Sequence, residues 1–139
     1  LEVAAGTSET VSALHERTLS QSYRLISTDA NELRYLATRA PDRATAEKLR
    51  GLAKLQSEIA GNERRIRELD EDKNREADDQ ERHRANLAAT GPGADLYRRA
   101  ARKLEESETR IEEIEAEIAA QDNRRREVRA RLADAIRSF

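Results

Sequence analysis

The residues that could do chemistry in this chain are few, and most of them lie on one stripe of a predicted helix. Four potential metal ligands recur at three- and four-residue spacing: Glu76, Asp79, Gln80 and His83. Bundles that bind two metal ions use a Glu-x-x-His pair with further glutamates from other helices. Here the residue three places before His83 is Gln80, and alanines and a leucine are expected to face the stripe. The sequence therefore assigns no metal ligands.

Other catalytic or cofactor-binding patterns are also missing. The chain has no cysteine, which excludes disulfides, thiolate zinc sites and cysteine nucleophiles. His15 has no partner at metal or triad spacing, and Gly91-Pro92-Gly93 lacks the Lys and Ser/Thr of a phosphate-binding loop. We therefore predict a protein that is not an enzyme, with no catalytic residues, no cofactor and no small-molecule substrate.

A basic cluster is the one remaining candidate site. It consists of Arg98, Arg99, Arg102 and Lys103, which could contact an anion or a partner protein. Nucleic-acid binding is the alternative function, but an acidic neighbouring region and a sequence pI of 5.8 argue against it. Tyr97 alone does not make an aromatic stacking platform.

The composition favours long helices as the elements that position these residues. Ala, Glu, Lys, Leu and Arg make up 82 of the 139 residues, a share typical of coiled coils. Leu, Ile, Val and Phe total only 25, too few for a large globular core. No apolar run approaches the roughly 18–20 residues that a membrane span requires.

Local signals divide the chain into three parts. Residues 1–28 alternate apolar and polar positions around Gly6, which predicts a strand or hairpin piece of a larger β-rich domain. The chain begins without an initiator Met, and we expect it to be part of a longer protein. Asp29 is expected to cap a short helix over 29–40, which Pro41 ends. Asp42 is expected to cap a longer helix.

Heptads then run on both sides of a turn predicted at 90–94, with Asp95 capping the second helix. Folding at this turn makes the helices antiparallel, with facing residue numbers that sum to about 184. Asn62 then meets Gln121 as a polar layer in the seam. The apolar seam residues are Leu52, Leu55, Ile59, Ile66, Leu69, Leu87, Tyr97, Leu104, Ile111, Ile114, Ile118, Val128 and Leu132. The predicted fold is mainly α: a long antiparallel two-helix coiled-coil hairpin over 42–139 with a small β-containing N-terminal piece.

Charge along this hairpin is banded. The tip, residues 80–104, has a net charge of +4. The middle, residues 68–79 with 105–117, has a net charge of −11, and the base, residues 43–67 with 118–137, has +7. Flanking charges of coiled coils commonly select partner and orientation.

Two stretches resemble a known family. The first is Thr18-Leu19-Ser20-Gln21-Ser22-Tyr23-Arg24-Leu25, continued by the segment from Asp29 to Leu36. The second is Asp79-Gln80-Glu81-Arg82-His83-Arg84-Ala85-Asn86-Leu87. Together they resemble the C-terminal region of the mucoidy-inhibitor A-like family, a bacterial domain of unknown function. The resemblance implies a β-rich domain that leads into a helical hairpin, and no established catalytic residues.

We expect a non-catalytic module for protein–protein interaction or oligomerisation. On the first helix, 5 of the 11 seam positions from Leu52 to Leu87 are polar, so the seam alone looks weak. Self-association as a homodimer, or docking on the rest of the parent chain, would bury the missing surface. A polyanion-binding coiled coil that uses the basic tip is the alternative.

Overall fold

A computed structural model describes residues 24–139, which are mainly α-helical and contain no strand within that range. After a helical turn at residues 24–27, three helices follow: α1 (Ala30–Thr38), α2 (Arg43–Ala89) and α3 (Asp95–Arg137). The two long helices pack against each other. They are joined by residues 90–94, so the predicted helical hairpin is confirmed.

The predicted β-containing piece lies mostly outside the described residues. Its described end differs from the prediction, because residues 24–27 are helical and Leu25 therefore does not lie in a strand. The Ser27 and Thr28 hydroxyls both donate to the Arg24 carbonyl oxygen, at 3.1 and 2.5 Å. These local bonds stabilise a helical turn, which alternation of apolar residues over so few positions could not reveal.

Both predicted caps at the N-terminal end of the fold are confirmed. Asp29 Oδ1 accepts a hydrogen bond from the Glu32 backbone N–H at 2.9 Å, which starts α1. Asp42 Oδ1 accepts from the Thr45 N–H at 2.7 Å, which starts α2. Each carboxylate satisfies a donor that has no partner inside its helix.

The prediction that Asp95 caps the second long helix is wrong by one residue. The Arg98 N–H bonds to the Ala94 carbonyl oxygen at 3.3 Å, so the helix starts one position earlier and Asp95 is its first residue. The Ala94 N–H in turn bonds to the Gly91 carbonyl at 3.1 Å and closes the turn. A carboxylate in the first turn still interacts favourably with the helix dipole.

Residues 24–59 and 127–139 form one compact unit in which three helices share a core. Its buried residues come from α1, the start of α2 and the end of α3: Leu33, Ala37, Leu49, Leu52, Ala53, Ile59, Val128, Leu132 and Ile136. Leu33 is fully buried, whereas Leu36, three residues later on α1, is 38% exposed. Arg34 Nη2 also donates to Ser57 Oγ at 2.8 Å.

The second unit, residues 60–126, contains the rest of both long helices and the turn. Leu69 and Ile114 are its largest fully buried side chains. Hydrogen bonds from Arg65 to Glu117 and from Ser107 to Glu76 show that the helices run antiparallel within this unit. Most of its other seam positions are only half-buried.

We expect Leu52→Ala to lower the free energy of unfolding by about 2–5 kcal/mol, because Leu52 is 2% exposed and its removal leaves a cavity. Leu96→Ala is the matched control, since Leu96 is 63% exposed, and it should change stability by less than about 0.5 kcal/mol. Urea unfolding followed by helical circular dichroism measures both. Equal losses in the two variants would contradict the assigned core.

The Asp42 cap predicts a pH dependence of stability. The hydrogen bond from the Thr45 N–H is the main cause that lowers the pKa of Asp42 below its ordinary 3.8. A carboxyl whose pKa falls on folding stabilises above its unfolded pKa, and that contribution is lost as pH falls through the folded pKa. The stability difference between the wild type and Asp42→Asn should therefore begin to shrink as pH falls below about 4 and disappear only when pH is below the lowered pKa of the folded state. Urea titrations across this range test it, and a difference independent of pH would refute it.

Candidate functional site

The heptad seam is the most extended candidate surface, and all thirteen predicted apolar residues are at least half-buried. In the three-helix unit, Leu52, Ile59, Val128 and Leu132 are buried, and Leu55 packs at the edge of the same core. In the second unit two are buried, and six are half-buried: Ile66, Leu87, Tyr97, Leu104, Ile111 and Ile118. The seam side chains are thus more fully buried in the three-helix unit, where α1 packs against both long helices.

A polar layer crosses the seam where the register requires it. Asn62 Nδ2 donates to Gln121 Oε1 at 2.8 Å. The other amide atom, Asn62 Oδ1, is buried and has no hydrogen-bond partner in the described part of the chain. A half-satisfied buried amide costs stability, but it penalises any register that would place it against a leucine.

A second polar layer lies closer to the turn. Ser107 is 4% exposed, and its Oγ lies 3.0 Å from Glu76 Oε2 and 3.2 Å from the Glu76 carbonyl oxygen. A single hydroxyl proton serves both acceptors, so the contact holds the Glu76 carboxylate at the seam. The Glu76 carboxylate is therefore hydrogen-bonded to Ser107 of the facing helix.

Ion pairs bridge the two helices beside these layers. Arg65 bonds to Glu117 Oε1 at 2.7 Å, and this hydrogen bond is the main cause that raises the pKa of the Arg65 guanidinium. Lys73, at a seam position, extends to Glu115 at 2.9 Å. All four side chains are 40–53% exposed, so each pair adds little stability and mainly orients the helix flanks.

Arg125 occupies a seam position, where its side chain is 28% exposed and its Nη2 pairs with Asp122 Oδ1 at 2.5 Å. Its Nε is buried without a hydrogen-bond partner in residues 24–139. Asp122 also pairs with Arg126 at 2.9 Å. Arg125 and Arg126 are therefore both engaged by Asp122, which reduces the positive charge that they could offer to an anion.

The hairpin tip carries a groove of about 450 Å³ between the two helices of the second unit. It is lined by Arg82, His83, Asn86, Ala89, Thr90, Leu96, Arg99, Ala100 and Lys103. Only two of the four residues of the predicted basic cluster line this groove. Arg99 and Lys103 line it and Arg98 does not, while Arg102 lies beside Glu105 on another surface of α3.

The stripe that resembled a metal site is used for other contacts. Asp79 pairs with Arg82, and His83 lines the tip groove. Residues 24–139 bring no three His, Cys, Asp or Glu side chains together in an arrangement that could hold a metal ion. Sequence reasoning missed the contributions of Asn86 and Leu96 to the groove. Leu96 lies three residues before Arg99 on α3, so helical spacing could have indicated it, whereas only the pairing of the helices brings Asn86 to the groove.

Many surface charges of the second unit form no ion pair within the described residues. At the tip these are Arg84, Arg98, Arg99, Arg102 and Lys103. In the acidic band they are Asp70, Glu71, Asp78, Glu105, Glu106, Glu108 and Glu112. The unit therefore keeps two separate groups of solvated charges of opposite sign.

Comparisons of the chain with protein-family models, with curated proteins and with solved structures find no match. The resemblance to the mucoidy-inhibitor A-like family stays a prediction based on its two motifs. Among the described residues, no helix is long and apolar enough to cross a membrane.

The Asn62–Gln121 layer predicts opposite outcomes for single and double substitutions. Asn62→Ala leaves Gln121 without its donor and should lower the free energy of unfolding by about 1 kcal/mol. Asn62→Leu combined with Gln121→Leu should not lower it, because both polar groups are replaced. Urea unfolding measures both variants, and a double variant as unstable as the single one would contradict the interpretation.

The same pair of variants tests whether the layer selects the register. Cysteines placed at Ile66 and Ile118 should form a disulfide within one chain, since the two positions face each other in the predicted register. In the double leucine background we expect a lower yield of this disulfide, because a leucine layer tolerates shifted pairings. Non-reducing electrophoresis and mass spectrometry measure the yield, and an unchanged yield would show that the layer does not select the register.

Proposed function

We propose that this protein is a non-catalytic module for protein–protein interaction that self-associates as a homodimer. The observation that carries the proposal is the separation of unpaired surface charge in the second unit. Seven acidic side chains of the middle band and five basic side chains of the tip make no ion pair in the described chain. A surface with separated charges of both signs can pair with a complementary surface while repelling mismatched ones.

The seam supports the same proposal. Within residues 60–126 most seam side chains are half-buried, and several seam positions hold polar residues such as Lys73, Gln80 and His83. Two helices cover each other along only one narrow stripe each, so further helices would bury surface that this pair leaves in water. A second copy of the chain supplies helices with the same charge banding.

Polyanion binding by the tip is the second candidate function. It is favoured by five tip cations that make no ion pair within the described residues, two of which, Arg99 and Lys103, line the groove. This function predicts binding that weakens steeply as salt concentration rises, because Arg and Lys side chains displace the counterions of a polyanion when it binds. The adjacent acidic band, with its net charge of −11, opposes this function for any long polyanion.

Light scattering coupled to size exclusion tests self-association. We expect a mass above the 15.7 kDa of one chain at micromolar concentration and a shift toward that value as salt screens the charges. A strict monomer at high micromolar concentration would remove the proposal.

Substitutions that neutralise acidic side chains identify the surface through which two copies of the chain associate. Replacing Glu105, Glu108 and Glu112 together by glutamine should weaken association about three- to tenfold, because these carboxylates make no ion pair in the described chain. Glu113→Gln is the control, since Glu113 already pairs with Arg110 on its own helix. Equal effects of the triple variant and the control would exclude the acidic band as the contact surface.

A further inference from the structure

We propose that the groove at the hairpin tip binds an acidic segment of a partner protein, one that carries carboxylates beside an apolar side chain. This inference rests on the proposed function as an interaction module and names the partner chemistry of one surface. The groove lies wholly within residues 60–126, between the end of α2 and the start of α3.

The groove offers a concentrated set of donors to a carboxylate. Arg99 and Lys103 are one helical turn apart on α3 and both line the groove. Neither makes an ion pair within the described chain, so both charges are available to a ligand. Asn86 supplies an amide from the facing helix. Side chains four apart on a helix lie about 5–6 Å from each other, which suits two carboxylates of one segment.

The same groove has an apolar part that a simple anion would leave uncovered. Leu96 is 63% exposed, the most exposed large hydrophobic side chain among residues 24–139, and it lies in the groove lining with Ala89 and Ala100. Covering a leucine removes apolar surface from water, which is favourable. The ligand that fits both parts therefore carries an apolar side chain next to its negative charges.

A protein segment fits this surface better than a nucleic acid does. The band next to the tip carries a net charge of −11, which repels a long polyanion that extends past the groove. His83 is the one aromatic ring in the groove lining, and no Phe, Tyr or Trp lies there, so successive bases lack the stacking platform of a single-strand-binding surface. The volume of about 450 Å³ accommodates a few side chains, and a peptide can place its charges there and lead the rest of its chain away.

The test uses the full chain and a fluorescein-labelled peptide with the sequence of residues 105–117. This peptide carries seven acidic residues together with Ile111 and Ile114. Fluorescence anisotropy at physiological salt should show saturable binding. A peptide with every glutamate replaced by glutamine should bind at least about tenfold more weakly, because the carboxylates are its contact groups.

Charge-reversal variants of the protein locate the site. Arg99→Glu combined with Lys103→Glu should weaken binding about tenfold or more, because both residues line the groove. Arg98→Glu combined with Arg102→Glu changes the net charge by the same amount on the same helix but outside the groove. It should weaken binding by less than about threefold, since solvent and salt screen it. Circular dichroism checks that all variants keep their helices.

Leu96→Ser tests the apolar part and should weaken peptide binding about threefold or more without changing helix content. A single-stranded oligonucleotide of matched charge is the competing ligand and should bind more weakly than the peptide.

Three results would overturn the inference: no peptide binding, equal losses in the two charge-reversal pairs, or tighter binding of the oligonucleotide. Light scattering on the same samples keeps the two proposals apart. If the protein is a monomer that binds the peptide, the groove proposal stands and the self-association proposal is refuted. If it is an oligomer that does not bind the peptide, the self-association proposal stands and the groove proposal is refuted.

Discussion

The burial of a narrow apolar stripe between two long antiparallel helices is the constraint on which the rest of this structure depends. Leucine, isoleucine, valine and phenylalanine total 25 of 139 residues. So few large apolar side chains can form only a narrow core, in which each of them contacts the facing helix. Spacing them at heptad positions achieves this, because both helices then present their apolar residues along one line. Leu52, Leu69, Ile114 and Val128 are each at most 2% exposed as a result.

Polar residues in this seam pair across it in one alignment of the helices. Asn62 finds Gln121 and Ser107 finds Glu76, and each pair would be separated by a shift of the helices. The Asn62–Gln121 pair is not an efficient source of stability, because Asn62 Oδ1 stays without a partner in the described chain. Their contribution is to make other registers worse, which matters in a seam with few large apolar side chains.

With most large apolar residues in the seam, charged side chains make up most of the outer surface of the second unit. Local pairs such as Arg110–Glu113 neutralise part of it, but the acidic middle and the basic tip retain side chains without partners in residues 24–139. The groove at the tip differs from the rest of this surface because it places Leu96 beside Arg99 and Lys103. This combination of charge and apolar area is the basis of the partner chemistry proposed for the tip.

The sequence by itself determined the two long helices, their turn and the pairing of the Asn62–Gln121 layer. Helical periodicity assigns each residue to a face and the short turn sets which residues meet, so Asn62 and Gln121 could be matched without coordinates. Only the tertiary structure decided that Leu33 is buried and Leu36 exposed, and that Arg99 faces the groove while Arg98 does not. Those outcomes depend on how a helix is rotated against its neighbours, which is a long-range property. The alternation of apolar and polar residues also failed to predict the helical turn at residues 24–27, where the Ser27 and Thr28 hydroxyls bond to the Arg24 carbonyl oxygen.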